Sequence, residues 1–235
     1  MSRPERDLCW VADAQALFER TVPRLADLRG PSRLPGWTRG HVVTHVARNA
    51  EGLCRLLTWA RTGIETPMYP SREQRDADIE AGSGRELAEQ LDDLRRTGAA
   101  FAATASELAP RNWDVIVRHG RLPASTVPWA RVRELWLHLV DLDATGSHSA
   151  VEIDNVPEDI ATELVRDVAR WMHTRVATPV VLQLPGGEQV SFGPEDSVPL
   201  TVSGPARQLA GWLTGRCGGQ RLSAPDGLPE LPSWL

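Results

Sequence analysis

The first half of the chain repeats apolar side chains at intervals of three and four residues, the pattern of amphipathic helices. The first such run covers residues 5 to 29, and Pro23 predicts a kink or a break near Val22 because proline disrupts a helix interior. Thr38 is a good N-cap residue for a second helix that continues to about Arg61. Two amphipathic helices are therefore expected to open the chain.

Two further helical regions follow. One runs from about residue 71 to residue 108, with a break near residues 82–84, where two glycines fall. The other covers residues 126–144, and the connection before it has the pattern of a short strand at residues 114–118. Together the four helical regions predict an N-terminal helical bundle over residues 1–150.

The pattern changes in the last third of the chain, where short strand-like runs are separated by glycine and proline turns. This pattern predicts a helix at residues 157–176, three strands at residues 180–184, 189–192 and 198–202, a second helix at residues 205–213 and a proline-rich tail at residues 223–235. We therefore expect an α+β fold, in which a smaller C-terminal α+β domain at residues 151–235 follows the bundle.

Charge and hydropathy exclude two classes of partner. A net charge of -5 over 235 residues gives no reason to expect a nucleic acid, whose binding domains usually carry a basic surface. No apolar run approaches the roughly 20 residues that span a bilayer, and the first ten residues lack the apolar core of a signal peptide. These features predict a cytoplasmic protein with no membrane or nucleic-acid partner.

The three cysteines do not suggest a disulfide framework. Cys9, Cys54 and Cys217 are odd in number and widely spaced, and none belongs to a CxxC motif. We expect reduced thiols. Cys217 lies in a glycine-rich segment and is either a reactive thiol or, as most free cysteines are, a small buried hydrophobic residue.

Two pairs of polar residues at helical spacing carry the candidate chemistry. Glu134 and His138 are four residues apart in the fourth helical region, and His41 and His45 repeat this spacing in the second. Side chains four residues apart lie on one helical face, so each pair could reach a common point. Two facing helices that unite His45, Glu134 and His138 would form a two-histidine, one-carboxylate site for a divalent metal, with open coordination positions.

A structural alternative exists for the carboxylate. A buried glutamate is costly unless it is paired or bound to metal, and Glu134 could pair with an arginine such as Arg131 or Arg39. The strict HExxH motif of zinc proteases is absent from the sequence, which disfavours hydrolysis by that scheme.

Several separated segments resemble the mycothiol-dependent maleylpyruvate isomerase family, which belongs to the wider DinB-like group of metal-binding four-helix bundles. The two main segments are LPGWTRGHVVTHVARNAEGL at residues 34–53 and RVRELWLHLVDL at residues 131–142. The likeness also takes in residues 65–83, the WLTGR segment at residues 212–216 and the closing PELPSWL. It therefore covers nearly the whole chain, including the C-terminal domain.

The resemblance implies roles for four residues. The zinc ligands of the family fall on His45, Glu134 and His138, with water as the fourth ligand. The essential arginine of the family, in a GR dipeptide near the C-terminus, matches Arg216, which would come from the second domain and close over the metal. Taken without the resemblance, Arg216 is an ordinary arginine at a helix end, interacting with the last carbonyls.

Three more residues are candidates for binding the substrate or the thiol. Arg75 and Tyr69 lie in a segment that resembles the family, and they are expected to line the pocket. His41 lies one turn before His45 and either touches the substrate or has a structural role.

The resemblance also implies an activity. The family isomerises maleylpyruvate to fumarylpyruvate with mycothiol and zinc, so we expect a cis–trans isomerase that takes a small-molecule diacid. Two alternatives remain open: a mycothiol-dependent S-transferase or detoxification enzyme acting on another electrophile, and a non-catalytic metal-binding stress protein. Because fold alone does not fix function, the sequence leaves this choice open, together with the choice between a monomer and a homodimer.

Overall fold

The computed structural model describes residues 3–25, 27–118, 122–142 and 151–234. The chain divides into two compact units, residues 1–151 and residues 152–235.

The first unit is helical. Four of its helices pack as a bundle, and α3 packs against α2. Buried aliphatic and aromatic side chains form the core, among them Phe18, Val46, Leu57, Leu94, Leu135 and Leu139. The helices are α1 (Glu5–Thr21), α2 (Arg39–Thr62), α3 (Arg72–Ser83), α4 (Leu87–Ser106) and α5 (Val127–Asp141), with the bundle formed by α1, α2, α4 and α5.

Helix boundaries in this unit follow local chemistry. The predicted break at Val22 is confirmed, since α1 ends at Thr21 and Val22–Arg24 is a 3-10 turn. The expected extension of this helix to residue 29 is wrong, because Pro23 cannot donate a backbone hydrogen bond. The third helical region is two helices, α3 and α4, and the last helix ends at Asp141. Residues 143 and 144 lie outside the described part.

The connection between α4 and α5 contains a small hairpin. Strand β1 (Ile116–Arg118) lies within the predicted strand and pairs antiparallel with β2 (Leu122–Pro123), which the sequence did not predict. The 3-10 turns Pro110–Asp114 and Ala124–Thr126 flank this hairpin.

Helix α2 has well-defined ends, and it lies close to α3. Thr38 caps its N-terminus as predicted, accepting a hydrogen bond from the backbone of His41. Gly63 ends it with a left-handed φ of 74°, which glycine adopts without strain. A side chain at Gly40 would collide with the carbonyl of Ser83, so the glycine allows the end of α3 to approach α2.

The second unit combines two helices with a small sheet. Helices α6 (Glu158–Met172) and α7 (Ala206–Leu213) pack against each other. The sheet has the strand order β4-β3-β5, in which β3 pairs antiparallel with β4 and parallel with β5. The strands are β3 (Val180–Gln183), β4 (Gln189–Phe192) and β5 (Leu200–Ser203). The α+β fold class expected from the sequence is thus confirmed.

The tail packs on this second unit. Ser223 pairs with Ser203 at the end of β5. The ring of Trp234 lies 4.9 Å from that of Trp171 on α6, in an edge-to-face arrangement that aromatic pairs prefer. Among the described residues, no helix combines the length and the apolar character required to cross a bilayer.

Candidate metal centre

Helices α2 and α5 bring together one residue of the upstream pair and both residues of the downstream pair. His45 lies on the buried face of α2, while Glu134 and His138 are one turn apart on α5. One ligating atom from each of these three residues lies within 4.8 Å of the others. The two helices therefore unite His45, Glu134 and His138, as the spacing predicted, and metal binding at this cluster stays a prediction.

One carboxylate oxygen of Glu134 contacts both imidazoles. Its Oε2 is 2.9 Å from Nε2 of His45 and 3.4 Å from Nε2 of His138. The expected alternative, an ion pair with an arginine, is wrong, since the carboxylate of Glu134 bonds to the histidines. Arg131 donates elsewhere, to the Val46 carbonyl and to the side chains of Asn49 and Gln15.

The three groups perturb one another electrostatically. Burial lowers the pKa of His45 to about 4, so this imidazole is neutral at physiological pH. Burial alone would raise the pKa of Glu134, but hydrogen bonds from His138 and His45 hold it well below its usual range. The centre therefore presents an ionised carboxylate and a neutral imidazole, the forms in which these groups bind metals.

A second carboxylate lies behind His138. Nδ1 of this imidazole is 3.0 Å from Oδ2 of Asp141, a buried residue at the last position of α5. Burial would lower the pKa of His138, but the bonds to Asp141 and Glu134 raise it. Sequence reasoning missed Asp141. The signal that could have found it is the i, i+3 spacing from His138, which places both side chains on one helical face.

Two of the three candidate pocket residues lie beside the cluster. Arg75 on α3 places Nη2 3.2 Å from Nδ1 of His45, and its guanidinium carbon is 5.9 Å from the centroid of the Tyr69 ring. Since a guanidinium only donates, Nδ1 of His45 accepts from Arg75, and its Nε2–H donates to Glu134. Burial, together with the nearby Glu134 charge, raises the pKa of Tyr69, which keeps its hydroxyl protonated.

His41 lies outside the three-residue cluster. Its Nδ1 accepts from the backbone N–H of Thr38, which completes a reciprocal capping box at the start of α2. Its Nε2 lies 3.0 Å from Oε2 of Glu80. Of the two roles open to His41, the structure supports the structural one.

Arg216 follows α7 in the second unit and is partly exposed. Its Nη1 donates to the carbonyl of Thr214 at 2.6 Å, and Gly215 before it has a left-handed φ of 74°. This contact agrees with the helix-end role.

The three cysteines are free thiols, as expected from the sequence. Burial raises the pKa of Cys54 and of Cys217, so both remain protonated near neutral pH. Sγ of Cys217 also lies 3.5 Å from the carbonyl of Gln208. Cys217 is partly exposed, but its raised pKa favours an unreactive thiol over a reactive one.

The donor set suits a divalent transition metal. Two imidazole nitrogens and one carboxylate oxygen are typical ligands of catalytic zinc, which keeps a further position open. Tetrahedral ligands about 2.0–2.1 Å from zinc lie roughly 3.4 Å apart, close to the 2.9 Å and 3.4 Å that separate Glu134 from the two imidazoles. The donor types therefore fit a metal ion, which would replace the hydrogen on Nε2 of His45 and draw the three donor atoms, now within 4.8 Å of one another, closer together.

Fold and site define a class of protein: a helical bundle with a two-histidine, one-carboxylate centre, followed by an α+β unit. Comparison with protein families makes the assignment specific. The model of the mycothiol maleylpyruvate isomerase N-terminal domain matches residues 11–143, and that of the MDMPI C-terminal domain matches residues 155–233. The chain belongs to the mycothiol-dependent maleylpyruvate isomerase family.

Solved structures agree with this assignment. The chain is similar to the crystal structure of a mycothiol-dependent maleylpyruvate isomerase, with 29% sequence identity and a TM-score of 0.87 over 100% of both chains. A histidine-to-alanine mutant of such an isomerase matches with 28% identity and the same TM-score and coverage. No curated protein matches the chain. The likeness to an isomerase supports an enzymatic activity.

Proposed function

We propose that the protein is a mycothiol-dependent maleylpyruvate isomerase whose metal ligands are His45, Glu134 and His138. The observation that carries this proposal is the convergence of three ligating atoms within 4.8 Å, in a chain of this family. Three protein ligands leave a coordination position open, as in catalytic zinc sites, whereas structural zinc sites are normally closed by four. The open position disfavours the alternative of a non-catalytic metal-binding protein.

The reaction requires a nucleophile from outside the chain. A carbon–carbon double bond does not rotate at ambient temperature, but reversible addition of a thiolate makes it single. The electron pair of the double bond moves to the conjugated carbonyl oxygen as an enolate. Rotation follows, and the enolate then expels the thiolate to give the trans product. The raised pKa values of Cys54 and Cys217 agree with a thiol supplied by mycothiol.

A bound zinc ion would lower the pKa of a coordinating thiol, so that the thiolate forms at neutral pH. The side chains of the protein would hold the metal and bind the substrate and mycothiol. Glu134 balances positive charge, and helices α2 and α5 fix the two imidazoles. Arg75, beside His45, and Tyr69, whose ring lies near the Arg75 guanidinium, are proposed to bind substrate or mycothiol, because a guanidinium and a phenol both donate hydrogen bonds to carboxylates.

Arg216 is proposed to bind a carboxylate of the substrate and to stabilise the enolate charge. The support for this role is the family resemblance of the WLTGR segment, in which Arg216 is the last residue.

The decisive test is turnover by the zinc-loaded protein with maleylpyruvate, with and without mycothiol, followed by enol absorbance and by product analysis. Thiol-dependent formation of fumarylpyruvate supports the proposal. Accumulation of a stable thiol conjugate would instead identify an S-transferase acting on electrophiles. Tight binding of metal and thiol without any turnover would identify a binding protein.

A further inference from the structure

We propose that Asp141 is a positioning residue, which orients the imidazole of His138 for metal binding through a hydrogen bond to Nδ1. This inference rests on the proposed metal site. It gives a role to a residue that supports a metal ligand and does not bind the metal itself. Asp141 lies outside the three-residue cluster, and its carboxylate faces the ring nitrogen opposite the one directed at Glu134.

Geometry supports this role first. Oδ2 of Asp141 is 3.0 Å from Nδ1 of His138, and Nε2 of the same ring is 3.4 Å from Oε2 of Glu134. A carboxylate only accepts, so Nδ1 carries the hydrogen of this bond. With the hydrogen on Nδ1 fixed by Asp141, a metal beside Glu134 would replace the hydrogen on Nε2 and bind the lone pair of that nitrogen. Metal-binding histidines commonly donate their second N–H to a carboxylate in this way.

The burial of Asp141 and its place on α5 also support the positioning role. The side chain of Asp141 is 2% exposed, and a buried carboxylate is costly unless it is paired. It is also the last residue of α5, where the negative end of the helix dipole disfavours a second negative charge. A charged side chain is thus buried at a position where it contacts a proposed ligand.

The rigid placement of His138 and Asp141 supports the positioning role as well. The side chains of His138 and Asp141 are one turn apart on the same helix, so their contact does not depend on a flexible loop. The backbone carbonyl of Asp141 also accepts from the N–H of Arg33 at 2.8 Å, which fixes the end of α5 to the loop before α2. Because the bond to Asp141 already restricts the His138 side chain, this side chain loses less conformational entropy when a metal binds.

The test measures zinc affinity directly, independent of turnover. The full-length metal-free protein competes for zinc with a chromophoric chelator at neutral pH, and its Kd is compared with that of Asp141→Asn. We expect the Kd to rise by about 10- to 100-fold, the usual effect of removing the carboxylate behind a metal-binding histidine. The matched control is Glu80→Gln, which makes the same change beside His41, a histidine outside the cluster, and should leave the Kd unchanged.

Folding is measured separately, by urea unfolding of the metal-free variants. Equal zinc affinity in Asp141→Asn and the wild type would overturn the inference, even if the variant unfolds more easily. If Asp141→Asn does not fold, nitrogen NMR of the zinc-loaded wild type determines which nitrogen of His138 carries the hydrogen. The inference requires a protonated Nδ1 on His138, and zinc bound at Nδ1 would overturn it.

The same measurements separate this inference from the metal site itself. If His45→Gln binds zinc as tightly as the wild type, the proposed metal site is wrong and the role of Asp141 is lost with it. If His45→Gln loses zinc while Asp141→Asn keeps full affinity, only the role of Asp141 fails.

Discussion

Nη1 of Arg131 donates a hydrogen bond of 2.9 Å to Oδ1 of Asn49, which joins α5 to α2 in the bundle core. The side chain of Arg131 is fully buried, and its other acceptors are the Val46 carbonyl and Gln15. Burial lowers the pKa of this arginine to about 10, so the guanidinium remains charged at neutral pH. The helices that carry the candidate ligands are thus held together by one buried cation and neutral acceptors.

Removing one of these acceptors should destabilise the fold. We expect Asn49→Ala to lower the free energy of unfolding by about 1–3 kcal/mol, because a buried charged donor loses its partner. Urea denaturation monitored by circular dichroism measures this change. Arg55→Ala, at an exposed position of the same helix, is the control and should stay within about 0.5 kcal/mol of the wild type.

The two histidines of α2 should differ in metal binding. We expect His45→Gln to weaken zinc binding more than about 100-fold, since it removes a direct ligand, whereas loss of a supporting residue costs 10- to 100-fold. His41→Gln should keep full affinity, because glutamine at this position preserves the capping box with Thr38. Zinc content by atomic spectroscopy checks both variants, and loss of zinc from His41→Gln would contradict the assignment.

Arg216→Ala should separate metal binding from catalysis. We expect this variant to bind one zinc ion as the wild type does and to lose about 100- to 1000-fold in kcat/KM, the usual cost of a lost donor to a developing oxyanion. Steady-state kinetics with mycothiol and maleylpyruvate measure the loss. Full activity in a zinc-loaded variant would rule out the proposed role and leave the helix-end contact with Thr214.

The chain's own thiols should be dispensable. We expect a variant with Cys9→Ser, Cys54→Ala and Cys217→Ala to retain mycothiol-dependent turnover within about threefold, because burial keeps two of these thiols protonated. The measurement is the same assay with and without added mycothiol. Turnover that vanishes in this variant, although it folds and binds zinc, would show that a cysteine of the chain is the nucleophile.

Acid should remove the stabilisation that comes from Asp93. Its buried carboxylate lies 2.7 Å from Arg48 and 2.8 Å from Arg85. Burial alone would raise the pKa of Asp93, but these two arginines lower it below its ordinary value of 3.8. A lowered folded-state pKa gives stability that is present above the unfolded value and lost as pH falls through the folded value.

We therefore expect Asp93→Asn to be less stable than the wild type at pH 7, by about 1–3 kcal/mol. This difference should shrink below about pH 4, as the wild-type carboxyl becomes protonated. Urea unfolding across a pH series measures the effect. Asp92→Asn is the control, since its side chain is 80% exposed and should contribute little at any pH.

Local signals in the sequence correctly predicted much of the secondary structure. Pro23 breaks the first helix and Thr38 caps the second, because both effects depend only on nearby backbone groups. Strand β2 was missed, since a two-residue strand becomes recognisable only through its pairing with β1. The tail contact between Trp234 and Trp171 likewise depends on residues far apart in the sequence.

At the candidate site, too, the sequence predicted the local spacing, and the structure showed the contacts. Spacing alone placed His41 with His45 and Glu134 with His138, and the resemblance favoured His45. Only the structure shows that His41 bonds to the start of its own helix, because the side chain of a capping residue turns toward free backbone donors. Asp141 was overlooked because its role depends on which nitrogen of His138 faces Glu134, and a sequence does not specify ring orientation.

The sequence by itself determined the helical periods, the α+β class, the family and the three donor types of the candidate centre. The tertiary structure decided which donors meet. His45 and Glu134 are 89 residues apart, and their 2.9 Å contact exists because α2 and α5 pack side by side in the bundle. Burial at that contact then keeps His45 neutral, while the hydrogen bonds from His138 and His45 keep Glu134 ionised. Periodicity is local to one helix, whereas packing and desolvation arise only when separate helices meet.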